Sequence, residues 1–283
     1  MSVFRQTKGV AEERSESRSF RIIPLICATL TIALGLLTFI GWISGLPLLA
    51  SVRATYIPMA PSTAFCFSLI GIGLIVHLLR AALRWLPRAF APLVLAMACA
   101  KLVEVFGGFH FGIDTWFVRN PELFGAVPTG RMAPMTALNF VFIATGLLAL
   151  TGNQPAKFAG PLGALATVIG AVVLVGYWYG TPLLYGGHTI PVAFSTACGF
   201  FLSGIGIMMT AGAAEWPLRA FLGDSTRAVL LRAFVPLITA AALINGWINA
   251  TLPTRIHVNP AVTSALCAVV FAALIAVIIS QIS

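Results

Sequence analysis

Two ionisable residues interrupt an apolar run, Lys101 and Glu104 in Ala98-Cys99-Ala100-Lys101-Leu102-Val103-Glu104. At i,i+3 they share one face of a helix. Ionisable side chains inside a membrane are expensive, and they usually face the protein interior or a functional cavity. One reading is a structural ion pair that locks helices together. The other makes Glu104 the sensor of a cation, a proton or a ligand group. Asp114 and Arg131 stand in the long polar stretch that follows, and both are candidate ligand contacts. His110, His188 and His257 also lie between apolar runs. Imidazoles bind metals and haem iron. Here no two are spaced i,i+4 and no carboxylates stand at metal-ligand spacing, so His188 is kept as a ligand contact and no metal site is expected. His77, within an apolar run, has no partner that the sequence names. All five cysteines (Cys27, Cys66, Cys99, Cys198 and Cys267) fall in apolar stretches without a C-x-x-C pair. Neither a disulfide framework nor a cysteine metal site is expected. There is no Gly-x-Ser-x-Gly, no Walker loop, no H-E-x-x-H and no dinucleotide fingerprint. The seventh apolar run has no lysine for a retinal Schiff base. These residues therefore read as non-enzymatic, with no catalytic residue and no required cofactor, while contact with lipid, quinone or pigment fits the apolar spans.

The elements that must position these residues are spelled three times. The copies are Met59-Ala60-Pro61-Ser62-Thr63-Ala64-Phe65-Cys66-Phe67, Met132-Ala133-Pro134-Met135-Thr136-Ala137-Leu138-Asn139-Phe140 and Val192-Ala193-Phe194-Ser195-Thr196-Ala197-Cys198-Gly199-Phe200. A glycine follows ten residues after each threonine, at Gly73, Gly146 and Gly206. A weaker fourth copy is Pro260-Ala261-Val262-Thr263-Ser264-Ala265-Leu266-Cys267. Self-similarity at a spacing of 60 to 73 residues defines the building unit. The unit here is a helix pair whose second helix opens with the repeat. Pro61 and Pro134 suit a first helical turn, where no N–H is needed. Thr63, Thr136 and Thr196, with Ser62 and Ser195, are expected to cap the helix starts or bond across helices. Three such starts on one face would shape a pocket that favours polar or anionic groups.

The chain is 59% hydrophobic and only 9% charged, with a mean hydropathy of +0.98. A soluble domain carries about 25% charged residues, so this is a polytopic membrane protein. Eight apolar runs are long enough to span a bilayer at 1.5 Å per residue. They lie at about 22–43, 61–80, 88–107, 134–151, 158–179, 191–211, 228–249 and 260–281. The expected domains are a polar cytoplasmic tail at 1–20 and an eight-span, all-α transmembrane domain at 21–283. The first run reads as an uncleaved signal anchor. Twelve lysines and arginines fall on the side of the N-terminus, four on the other, and Lys101 lies within a span. The positive-inside rule places both termini in the cytoplasm. The net charge of +9 is thus a topology signal, and nucleic acid is not an expected partner. Trp42, Trp116, Trp178 and Trp247 at one edge, and Trp85 and Trp216 at the other, read as an aromatic belt. Residues 212–226 read as an interfacial helix.

Several segments together resemble a known group. They are Glu104, Gly112-Ile113-Asp114, Gly130-Arg131-Met132-Ala133-Pro134-Met135-Thr136-Ala137-Leu138, Tyr185-Gly186-Gly187-His188-Thr189-Ile190-Pro191, and Ser225-Thr226-Arg227-Ala228-Val229-Leu230-Leu231-Arg232-Ala233-Phe234-Val235-Pro236. Over about residues 25–283 the chain is similar to the multi-span N-terminal input region of bacterial sensor histidine kinases and diguanylate cyclases. The likeness departs at Phe194, where the third repeat lacks proline, and at Lys101. It implies a sensory module in a bacterial inner membrane that reads a small ligand or membrane state from the periplasmic side. A kinase or cyclase domain would follow residue 283 in that group. The alternative is an accessory subunit of a larger membrane complex, with other subunits or a second copy as partner besides the bilayer.

Overall fold

The structure, a computed structural model, describes residues 2–251 apart from 110, 119–122, 125–126, 153–155, 181–189 and 224. The expected eighth span and fourth repeat lie outside the described residues. So do His110, His188 and His257. The helices in order are α1 (Ser2–Ser44), α2 (Pro47–Ser51), α3 (Pro61–Leu79), α4 (Trp85–Gly107), α5 (Pro134–Thr151), α6 (Ala159–Trp178), α7 (Phe194–Ala211), α8 (Leu218–Phe221) and α9 (Thr226–Thr251). Between α4 and α5 lie a 3-10 turn at Ile113–Trp116 and an antiparallel two-residue hairpin of β1 (Leu123–Phe124) and β2 (Val127–Pro128). Seven helices among the described residues are long and apolar enough to cross a membrane. The chain is therefore an all-α, multi-pass membrane protein, apart from that hairpin.

One expectation gains detail and one changes. The polar tail is helical: α1 runs unbroken from Ser2 into the first span, whose membrane-length part is Arg18–Ser44. Its Ala, Glu, Arg and Gln residues are strong helix formers. The stretch at 212–226 yields only the four-residue α8. Gly212 and Gly223, both at φ +96°, and Pro217 between them break a longer helix.

The chain divides into two compact units. The first, residues 1–177 and 182–218, is built on α3, α5 and α7. Each presents the same buried stripe, with positions four, seven and eleven residues after the repeat threonine. The stripes read Thr63-Phe67-Ile70-Leu74, Thr136-Phe140-Ile143-Leu147 and Thr196-Phe200-Ser203-Ile207, all buried. Steps of four, three and four residues keep one face of a helix toward its partners. The rings of Phe67, Phe140 and Phe200 meet pairwise at 4.8, 4.9 and 4.8 Å. Such ring pairs are worth about 0.5–1.5 kcal/mol each beyond their buried area. Two turns further on, the glycines interlock in a cycle. A methyl group at Gly73 would meet Leu147 Cδ2 at 3.0 Å, one at Gly146 would meet Ile207 Cγ2 at 3.2 Å, and one at Gly206 would meet Leu74 Cδ2 at 2.8 Å. Both layers use the same three helices in the same sense, so the three run parallel about a pseudo-threefold axis.

The remaining long helices of this unit carry a matching seven-residue pattern. It reads Ala28-Thr31-Gly35-Thr38-Trp42 in α1, Ala91-Val94-Ala98-Lys101 in α4 and Gly163-Ala166-Gly170-Val173-Tyr177 in α6. A methyl at Gly35 would meet Ala64 O at 2.8 Å, and one at Gly170 would meet Ala197 O at 2.9 Å. Those carbonyls belong to the same position of repeats one and three. Each flanking helix lies in the groove between two core helices. A methyl at Gly73 would also meet Pro87 of α4 at 3.5 Å, one at Gly146 would meet Leu162 of α6 at 3.6 Å, and one at Gly206 would meet Cys27 of α1 at 3.5 Å. Lipid is as apolar as leucine, so association in a bilayer depends on such close backbone approach. The opposite faces, such as Ile26, Leu30 and Ile40 of α1, are exposed and apolar and suit lipid contact.

The second unit, residues 178–181 and 219–283, is described here chiefly by α9. Ser225 caps it, accepting the Ala228 N–H at 3.2 Å. Arg232 Nη2 donates to Gly223 O at 2.7 Å, and Tyr179 Oη donates to Leu243 O at 2.9 Å.

Candidate functional site

Of the charged residues singled out in the sequence, Lys101, Glu104 and Asp114 come together where the core helices begin. Lys101 takes the stripe position held by Thr38 in α1 and Val173 in α6, so its side chain points inward. Asp114 reaches it from the following linker. Gly112, at φ +64°, turns the backbone into the 3-10 turn that carries Asp114. The Thr115 hydroxyl donates to Gly112 O at 2.6 Å and holds that turn. Lys101 Nζ donates to Asp114 Oδ2 at 2.8 Å. Ser62 Oγ donates to Asp114 Oδ1 at 2.6 Å, and the Met132 N–H donates to Oδ2 at 3.2 Å. Lys101 and Asp114 are only 6% and 5% exposed. A buried charge pair persists when its remaining polar atoms are also satisfied, and Asp114 meets that condition with three donors. Glu104 Oε1 lies 3.6 Å from Lys101 Nζ, so the expected pair forms but is the looser contact.

The first linker contains the same device without charge. Ala50 O accepts the Met59 N–H at 3.0 Å and the Ser195 hydroxyl at 2.9 Å. Met59 and Met132 hold the same repeat position, as do Ser62 and Ser195. In each case a linker acceptor takes the N–H of its own repeat and the serine of another repeat. The carboxylate of Asp114 thus does the work of the Ala50 carbonyl, and Lys101 balances its charge. Two aromatic donors complete the pattern. Trp42 Nε1 donates to Met59 O, and Tyr177 Oη donates to Val192 O, both at 2.9 Å. Each stands seven residues after the equivalent glycine, Gly35 or Gly170. Trp42, read from the sequence as an interfacial anchor, is therefore a latch. Its ring also covers Gly130, where φ is +75° and a methyl would meet Trp42 Cη2 at 3.0 Å.

Of the two roles expected for the serines and threonines, capping the helix starts or bonding across helices, capping is not the one taken. The N-cap residues are Ala60, Ala133 and Ala193, and none makes a side-chain cap bond. Ser62 and Ser195 bond across to linkers instead. Thr63, Thr136 and Thr196 sit one turn above the phenylalanine layer and face the axis. Arg131 is exposed beside Met132. Sequence reasoning missed the Ala50 carbonyl, Trp42 and Tyr177 as contacts. The seven-residue spacing from Gly35 and Gly170 was the available signal for the two rings.

A cleft of about 500 Å³ opens beside the first latch. Trp42, Pro47, Leu48, Tyr56 and Leu123 give it an apolar, aromatic wall, with Thr129 as a polar group. Tyr56 packs edge-on against Tyr177 at 4.7 Å, and the Arg53 guanidinium lies 5.6 Å from its ring centre. The cleft shares Ala50 and Trp42 with the latch. Among the described residues no group of three or more His, Cys, Asp or Glu side chains could hold a metal ion. No protein-family model matches the chain, and neither does any curated protein or any solved structure.

Proposed function

We propose that this chain is a membrane-embedded sensory input module whose ligand is a small, largely apolar ring compound. The observation that carries this reading is the cleft. Its volume of about 500 Å³ lies in the range typical of small-molecule sites, about 300–1,000 Å³. Its wall is the linker whose Ala50 carbonyl holds the starts of α3 and α7 together. A ligand shifts an equilibrium only through differential affinity for two states. Occupancy that favours one position of Ala50 favours one arrangement of the core helices, and the Lys101–Asp114 latch sets the second linker against it. In this reading the chain has eight spans in a bacterial inner membrane, both termini are cytoplasmic, and the cleft faces the periplasm. The signal leaves through the tilt or register of the eighth span, residues 260–281.

The test uses the purified full chain in lipid nanodiscs, carrying Arg131→Cys as a thiol-reactivity reporter for the second linker. Indole, a benzoquinone and benzoate are titrated while thermal unfolding and thiol reactivity are followed. The expected result is stabilisation by at least one compound, a changed reaction rate at position 131, and loss of both when Ala54→Trp fills the cleft. If none of the three compounds stabilises the chain and it purifies in fixed stoichiometry with other membrane subunits, the sensor reading fails and an accessory subunit replaces it.

A further inference from the structure

We propose a second site on the pseudo-threefold axis, which binds a small monovalent inorganic anion of chloride size. It stands independently of the sensor reading, since an anion there would serve the core whether or not the chain signals. The site is the layer of Thr63, Thr136 and Thr196. Each is the third residue of its helix, and each stands four residues before a phenylalanine of the three-ring layer. Four residues is a little over one turn, so the threonines share the face that turns those rings toward the axis. The phenylalanines form the floor, and the layer above is polar.

Three observations point to an occupant. First, the threonines are only 1%, 2% and 2% exposed, yet among the described residues their hydroxyls make no hydrogen bond. Other buried hydroxyls of the chain do find partners: Thr31 donates to Cys27 O at 2.8 Å and Ser203 to Gly199 O at 2.7 Å. Leaving a buried hydroxyl unpaired costs about 1–3 kcal/mol. Second, all three helices begin without a side-chain cap, each after an extended alanine. Alanine is among the poorest N-cap residues. The amides of Ser62, Thr63, Met135, Thr136, Ser195 and Thr196 form no hydrogen bond among the described residues. Ser225 caps α9 in the ordinary way, whereas α2 and α4 also begin without a side-chain cap; what sets these three starts apart is that the uncapped amides adjoin a buried threonine. Third, three parallel helices bring three positive dipole ends to one place.

These groups define the ligand by what they offer. Backbone N–H groups only donate, and hydroxyls can donate as well. Three helix N-termini favour negative charge. A cation is therefore disfavoured, and a compact acceptor with no directional demand suits a near-threefold ring. The nearest carboxylate on the neighbouring linker, Asp114, is answered by Lys101 at 2.8 Å, which limits its opposition to an anion.

The experiment uses the full chain in nanodiscs at constant ionic strength. Thermal unfolding is followed as gluconate is replaced by chloride or bromide, and bromide is located by anomalous scattering from crystals. Expected is saturable stabilisation by chloride and bromide but not by gluconate, with a bromide peak on the axis. Single Thr63→Val, Thr136→Val and Thr196→Val variants should each weaken the apparent Kd by about tenfold, as expected for a lost bond to a charged group. Thr210→Val, which removes a hydroxyl bonded to Gly206 O at the opposite end of α7, should leave anion affinity within about twofold. Stability independent of anion identity, or a bromide peak elsewhere, would overturn the proposal and assign the layer to water. If a valine variant fails to fold, the wild-type titration and the bromide peak still decide it.

Discussion

Lys101 and Asp114 are the residues whose chemistry the fold constrains most tightly. Each is buried, and each is acceptable there because of the other. Removing one partner of such a pair typically costs about 3–5 kcal/mol, because the survivor keeps an uncompensated charge. Lys101→Met should therefore lower stability by about that amount. The double variant Lys101→Met/Asp114→Asn should recover most of the loss. Asparagine keeps a carbonyl for the Ser62 hydroxyl, and Ala50 shows that a neutral acceptor suffices at the equivalent place. Unfolding in mixed micelles measures both. A double variant no more stable than the single one would show that the charge itself is needed.

Among the elements, the α6–α7 contact depends on backbone touching backbone. A methyl at Gly204 would meet Gly163 O at 2.6 Å and Thr167 N at 2.8 Å, neither of which can swing aside. Gly204→Ala should destabilise by about 1–3 kcal/mol, the usual cost of overpacking. Gly107→Ala is the contrasting case. Its methyl would meet the Phe109 ring at 3.0 Å, and that side chain is exposed and free to turn. It should change stability by less than about 0.5 kcal/mol. Equal effects from the two, in the same unfolding measurement, would contradict the packing described. The elements also show how one pattern adapts. Position 38 of α1 is a threonine bonded to Met59 Sδ at 3.5 Å, while the matching position of α4 is a lysine serving a carboxylate.

At the scale of the molecule, the parallel threefold core makes a claim about sidedness. The starts of α3, α5 and α7 lie on one membrane face and their ends on the other. In a background without native cysteines, Ala54→Cys and Arg131→Cys should react with an impermeant maleimide added outside intact cells. Arg80→Cys and Lys157→Cys should react only after permeabilisation. The reverse pattern would invert the topology drawn from the positive-inside rule. A mixed result within either pair would refute the parallel core itself.

The membrane class, the seven described spans and the repeat were legible in the sequence, because hydropathy and self-similarity are properties of the chain read locally. The sequence also brought forward Lys101, Glu104 and Asp114, since a charge in an apolar run is conspicuous wherever the run folds. It did not say what they meet. Lys101 could be paired with Glu104 by helical spacing alone, but the closer contact is to Asp114 through a turn set by Gly112. Helical spacing describes neighbours on one helix and is silent about a linker that folds back. The role of Ala50 was invisible for a stronger reason: its contact is a backbone carbonyl, which every residue possesses. Ser62 and Ser195 had the right chemistry for caps, and only the placement of the linkers turned them outward to other acceptors. The convergence of Phe67, Phe140 and Phe200 was likewise decided by tertiary structure. The repeat placed each ring on its own helix, but the rotation of three helices about a common axis is a property of their packing together.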